Sequence, residues 1–323
     1  MYIKKADYKK IEENLVVGDF PLNIAVEPGN YCNLNCIMCA NDKLKRKRGF
    51  MDIKLYKKIV DEIAKENPNT RLWLDFYGEP LLAKYKLYYM IDYAKKRGLT
   101  NINMNTNGTL LDDEMIEMIL DSGIDFISVD IDGFSKEVYE SIRLGAGRDV
   151  VYDNVVRLIQ KKEERGIRKP ILEVKVIEME ENKEEIKEII DYWSKFKIRI
   201  NVRKKSTWAG NTISEDNVIE EQRYACAYAI GQCVIGWDGR VAACGWDCEI
   251  EAQQGDVNSQ TIKEIWNNKR QNLIRLHMEH KFEELPTLCK KCSDWKCVGG
   301  ELRLDEDGKN YDRNYEANKK MIY

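Results

Sequence analysis

The sequence predicts an α/β fold built on a parallel sheet, and three observations predict it. Short segments rich in β-branched or aromatic residues recur from residue 22 to about 205. Amphipathic stretches with helical spacing of apolar residues separate them. Each strand–helix–strand crossover returns the chain in the same direction, so a series of such units lays its strands parallel. The sheet is either an open doubly wound layer or a partial barrel. In both, functional loops lie beyond the C-terminal ends of the strands.

Residues 1–21 form a polar N-terminal extension whose mixed charges do not fit a secretory signal. Six strands are then expected: NIAVEP (23–28), RLWLDFY (71–77), NINMNT (101–106), DFISVDI (125–131), ILEVKVIE (171–178) and IRINVR (198–203). MDIKLYKKIVDEIAKEN places apolar residues at 53, 55, 56, 59, 60 and 63, one face of a helix. LDDEMIEMILDSG opens with acids and ends at Gly123, as a helix should. YDNVVRLIQKKEERG and NKEEIKEIIDYWSKF read as two more helices. The alternation stops after residue 205. Segment 206–323 is rich in tryptophan, glycine and cysteine, and reads as a small second domain organised around metal. Within it IGWDGRVAAC (235–244) is expected to form a hairpin turning at Asp238-Gly239, and TIKEIWNNKRQNLIRLHMEH a helix.

Composition narrows the function. The 323 residues are 43% hydrophobic and 33% charged, with a net charge of −3, which argues against nucleic-acid binding by bulk electrostatics. The basic run KLKRKRG (43–49) is read as a solvated loop. No stretch approaches the roughly 20 apolar residues of a membrane span, so a cytoplasmic, reducing setting is expected. Ten cysteines there point to metal ligation or redox work, not disulfides. His277 and His280 are the only histidines, and both are read as part of a solvated helix face. A histidine zinc site or a serine–histidine triad is therefore not expected.

CNLNCIMC holds Cys32, Cys36 and Cys39 as Cys-x3-Cys-x2-Cys, directly after the first strand. A structural zinc site closes with four ligands, so a local trio either borrows a distant fourth or leaves a position open. YGEP (77–80), NTNG (105–108) and DIDG (130–133) follow the next three strands and fall on the same rim. Thiolates favour soft metals and iron–sulfur clusters.

The trio, its place and the rim motifs resemble the radical S-adenosylmethionine (SAM) enzymes. That resemblance implies a partial (β/α)6 barrel and a [4Fe-4S] cluster on Cys32, Cys36 and Cys39, with the open iron binding the amino and carboxylate groups of SAM. Gly78 and Glu79 match the motif that contacts the SAM amino group, with Tyr77 in place of its first glycine. Asn105, Thr106 and Asn107 match the stretch near the ribose, Ser128 and Asp130 the contacts to its hydroxyls, and Arg143 an arginine that pairs with the SAM carboxylate. The chemistry implied is one-electron cleavage of SAM to methionine and a 5′-deoxyadenosyl radical, which abstracts hydrogen from an unactivated carbon. An electron donor such as flavodoxin or ferredoxin is implied as partner.

The second cysteine group resembles the SPASM and twitch domains, which carry auxiliary clusters. Twelve residues separate Cys226 from Gly239, and four separate Gly239 from Cys244. Cys289-x2-Cys292-x4-Cys297 follows, with Glu301 where a full SPASM domain has cysteine. Seven cysteines do not complete two four-thiolate clusters, so one auxiliary [4Fe-4S] cluster is expected, on Cys226, Cys244, Cys289 and Cys292. Sets using Cys233 or Cys297 stay open, as does zinc on the same four thiols. Cys248 is a candidate hydrogen donor to a substrate radical. The branch resembled implies oxidation or epimerisation of a sugar, aminocyclitol or similar polyol. A peptide substrate is the alternative, although only 31 residues precede Cys32, too few for an added peptide-binding module. An electron carrier or scaffold is the non-enzymatic alternative.

Overall fold

Strands β1 (Asn23–Val26), β2 (Arg71–Trp73), β3 (Ile102–Thr106), β4 (Phe126–Asp130), β5 (Ile171–Glu178) and β6 (Arg199–Lys204) lie side by side in chain order and run parallel. They are seen in a computed structural model, which describes residues 6–210, 222–298 and 302–309. Glu301 lies outside the described residues. Four more strands extend the sheet. β7 (Gln232–Ile235) joins β1 in parallel, and β8 (Arg240–Ala242) and β9 (Gly255–Asp256) continue from it antiparallel. At the far edge β10 (Leu302–Leu304) pairs antiparallel with β6.

Period-two alternation sorts the strands into two unlike faces. Ile24, Leu72, Ile102, Ile127, Leu172 and Ile200 share one face, fully or nearly buried in the main core. Helices 53–66, 85–96, 113–122 and 148–164 supply the other side of that core through residues such as Ile59, Met90, Ile116 and Leu158. Asp52 and Asp112 cap two of these helices, each accepting a backbone N–H of the first turn. The opposite face of the sheet is polar. Asn23, Arg71, Asn105, Lys175, Asn201 and Arg203 all line one cavity, together with Gln232 of β7. Strands from both ends of the six-strand row thus share one interior, so the sheet is curled with its polar face inward.

β2 ends four residues before the expected position. The cause is Asp75, whose carboxylate takes the Asn105 N–H at 3.2 Å and also accepts from the Asn105 side chain. Beyond the curled sheet, the hairpin β7–β8 turns where expected, with Gly239 at a φ of +92°. The helix expected over 261–280 is continuous from Ile262 to Met278 but carries a π-helical turn at Trp266–Arg270. Arg270 points inward there and donates to the carbonyls of Ala243, Ala229 and Gln232.

The basic run is not simply a solvated loop. Arg46 is buried, and its guanidinium grips both oxygens of the fully buried Glu27 at 2.6 and 2.5 Å. Arg48 donates to the backbone of Asn30 and Asn41. Lys43, Lys45 and Lys47 do face solvent.

Candidate active site

The loop after β1, the turn after β2 and the ends of β3 and β4 meet around the mouth of the curled sheet, over a cavity of about 360 Å³. Its wall includes Cys32, Cys36 and Cys39 from the first loop. Each thiol has a polar neighbour suited to a thiolate. The Asn41 N–H points at the Cys39 sulfur at 3.4 Å, Arg143 Nη1 at that of Cys36 at 3.9 Å, and Asn107 Nδ2 at that of Cys32 at 4.0 Å. Burial pushes the Cys36 thiol up to about 11 and Cys39 to about 12. Thiols held this way release protons when a soft metal takes them. Among the described residues, no group of three His, Cys, Asp or Glu side chains is placed to hold a metal ion.

Gly78 and Glu79 reach the same wall. A Cβ on Gly78 would stand 2.0 Å from the Gly29 carbonyl oxygen, so the glycine is required by the backbone of the neighbouring loop. Glu79 is buried and accepts from Leu81 N at 3.0 Å, Thr106 Oγ1 at 2.8 Å and Asn107 N at 2.8 Å. Burial nevertheless lifts its carboxyl to about 7. Thr106 thus lies on the cavity wall with its hydroxyl bound to Glu79. Arg143 is buried too, bound to Asp132 through Nε at 2.8 Å and to Asp130 at 3.6 Å. Asp130 also pairs with Lys175 at 2.8 Å.

Two expected residues lie off the wall. Ser128 is one pleat deeper, and its hydroxyl donates to Glu173 at 3.0 Å. Cys248 packs among Ala40, Tyr77 and Trp208, and burial pushes its thiol up to about 11. Sequence reasoning missed Asp75, Lys175, Arg203, Trp208 and Trp246, all on the wall. Asp75 was readable: residues 71, 73 and 75 share a face, and two of them are charged. Burial lifts its carboxyl to about 6, and both hydrogen bonds from Asn105 fall on Oδ2.

Cys226, Cys244, Cys289 and Cys292 surround a second, small cavity. The Trp246 N–H lies 3.4 Å from the Cys244 sulfur, and the Asp294 N–H 3.3 Å from that of Cys292. Cys233 is on the helix-facing side of β7, opposite Ile24, and Cys297 points toward Lys205 O and Asp294 Oδ1 at 3.9 Å each. Neither lines the cavity. His277 does, which corrects its reading as a solvated residue: it is 1% exposed, and burial drives its pKa down to about 3. His280 does reach solvent, 2.9 Å from Glu12.

Residues 26–193 match the profile of the Radical SAM superfamily. The chain belongs to that superfamily. Residues 226–293 match SPASM, an iron–sulfur cluster-binding domain. A tungsten-containing aldehyde ferredoxin oxidoreductase cofactor-modifying protein of Pyrococcus furiosus is 31% identical over 163 residues. That match spans 50% of this chain and less than half, 45%, of the relative. The SAM-dependent 2-deoxy-scyllo-inosamine dehydrogenase of Niallia circulans is 21% identical over 84% of this chain and 92% of its own length. In fold, the chain is like BtrN in complex with AdoMet and 2-DOIA (TM-score 0.59, 20% identity, 84% and 92% covered). It is also like Streptococcus suis SuiB bound to precursor peptide SuiA (TM-score 0.65, 16% identity, 90% and 74% covered).

Membership implies a SAM-binding [4Fe-4S] cluster, SAM and auxiliary iron–sulfur ligation. The donor chemistry fits: three soft thiols with N–H neighbours border the large cavity, and four more line the small one. No described helix is long and apolar enough to cross a membrane.

Proposed function

We propose that this radical SAM enzyme oxidises a secondary alcohol of a sugar, aminocyclitol or similar polyol. The observation that carries this reading is the inward polar face of the sheet, whose Asn, Arg and Lys side chains match a hydroxyl-rich ligand. Cys32, Cys36 and Cys39 hold the first cluster, and Cys226, Cys244, Cys289 and Cys292 the auxiliary one. Bound there, the clusters and SAM would supply one-electron reductive cleavage chemistry, hydrogen abstraction from the substrate and an acceptor for the second electron. An electron donor such as flavodoxin or ferredoxin would be the reductant.

Glu79 would hold the SAM ammonium and Asn105 and Asp130 the ribose, while Asn107 and Arg143 flank the thiols. Asp75 Oδ1 takes the hydroxyl proton of the substrate, a task suited to a carboxyl lifted toward neutrality. Trp208 and Trp246 exclude water on the side facing the second cysteine group.

SAM affinity is expected to rise with pH. Below about 7 Glu79 is protonated and offers the ammonium no charge; above it the carboxylate does. Equilibrium dialysis under anaerobic conditions should show binding tighten roughly tenfold from pH 6 to 8, about 1.4 kcal/mol. Glu79→Gln should bind weakly at both. A flat wild-type profile removes Glu79 from this role.

The function itself is tested with carbon-deuterated polyols and aminocyclitols. Deuterium in 5′-deoxyadenosine together with one ketone per SAM supports oxidation. Label taken only from peptides replaces it with the peptide-modifying alternative. An inverted alcohol in place of the ketone means epimerisation, and then Cys248→Ala should stall the product without stopping SAM cleavage. Asp75→Asn should cut ketone formation by 10²-fold or more, in the range of general acid–base effects, while leaving cleavage intact.

A further inference from the structure

His277 sits in the last turn of the helix ending at Met278, and its ring borders the small cavity ringed by Cys226, Cys244, Cys289 and Cys292. Its two nitrogens have unlike surroundings. Nδ1 accepts the backbone N–H of Cys226 at 3.4 Å. A nitrogen that accepts carries no proton, so the ring proton resides on Nε2. Nε2 is buried and has no hydrogen-bond partner. A buried donor left unmade costs about 1–3 kcal/mol, and native folds rarely keep one without a use. The helix could have placed an apolar residue here, as it does at Leu273, Ile274 and Leu276. His277 lines a cavity with four thiols, and the chemistry there that would satisfy Nε2–H is a sulfur acceptor.

We propose that His277 is a positioning residue for the auxiliary centre: its Nε2–H donates to a sulfur of the cluster held by those four cysteines and raises the reduction potential of that centre. The inference rests on the four-cysteine ligand set proposed above. With four thiolates in place the coordination is complete, so the imidazole acts as a donor and not as a ligand. Hydrogen bonds to cluster sulfurs draw charge off them and favour the reduced state. Cys226 is tied in as well, since its own N–H binds Nδ1 of that ring. A higher potential suits an acceptor of the second electron from an oxidised alcohol.

The test uses the full chain, reconstituted anaerobically with iron and sulfide, in a Cys32→Ala/Cys36→Ala/Cys39→Ala background that leaves only the auxiliary centre. His277→Phe and His277→Gln are compared with the parent by redox titration followed by paramagnetic resonance. His277→Phe is expected to keep the iron content but to lower the reduced-to-oxidised ratio at a fixed potential about tenfold, ~59 mV for a one-electron couple. Gln, which retains a donor, should recover most of that difference. The parent should show a hyperfine coupling to an exchangeable proton that His277→Phe lacks. Should His277→Phe not fold, the Gln variant and the parent's coupling still decide. Equal potentials with no exchangeable coupling overturn the inference, and a strong directly bonded nitrogen coupling overturns it in favour of ligation. If the parent background binds no iron, the ligand set itself is wrong and the inference falls with it.

Discussion

Replacing Cys36 by alanine is expected to abolish SAM cleavage and halve the iron content, from about eight to about four per chain with cubane clusters. The thiol stands on the wall of the large cavity, with Arg143 Nη1 3.9 Å from its sulfur. Two remaining thiols on this loop cannot hold a cubane, and among the described residues the carboxylates nearby are already engaged. Asp132 and Asp130 are engaged by Arg143, and Glu79 takes three hydrogen bonds from its surroundings. Cys233→Ala is the control. That cysteine lies on the helix-facing side of the sheet, in the main core, so its loss should cost about 1 kcal/mol of stability and leave cleavage intact. Iron assay and 5′-deoxyadenosine release check both. Cleavage that survives in Cys36→Ala sinks the three-thiol cluster.

The strands and the rim were legible because both follow local rules. Ile171–Glu178 is apolar and β-branched enough to read as a strand, and a motif that follows a strand in a parallel sheet can only face one rim. Cys226, Cys244, Cys289 and Cys292, the four cysteines that the resemblance singled out, do come together around one small cavity. What escaped was set by distance in sequence. The charge run hid Arg46 because its partner Glu27 lies 19 residues earlier, and nothing in a stretch of five basic residues among seven says which one turns inward. The close approach of Gly78 to Gly29 and the hydrogen bond from Thr106 to Glu79 escaped for a similar reason: those partners come from other segments. His277 could have been found. It falls three and four residues after Ile274 and Leu273, on the apolar side of its own helix.

Arg46→Met is expected to destabilise the protein by about 3–5 kcal/mol, the cost of leaving one member of a buried pair alone. The pair is a hub. Glu27, at the end of β1, also accepts N–H groups from Trp237 at 3.1 Å and Tyr77 at 3.3 Å. Arg46 donates through Nε to the Cys248 carbonyl at 2.7 Å, and its N–H and that of Lys45 bind Glu249 at 2.9 and 2.7 Å. One ion pair thereby ties the loop after the cysteine trio to the rim turn at Tyr77-Gly78, to the β7–β8 hairpin and to the turn after Cys244. Without the guanidinium, the Glu27 carboxylate is buried with only two backbone donors. For a chain of 323 residues the loss corresponds to a fall in melting temperature of about 4–7 °C. Both clusters should be affected, because the hub joins both cysteine groups, so iron content should fall in parallel. Removing both charges in Glu27→Met/Arg46→Met should recover more than half of the lost stability, since no uncompensated charge is then buried. Calorimetry on the two single variants and the double decides. If Arg46→Met melts within about 2 °C of the parent, the two cysteine groups are held in register by something other than this pair.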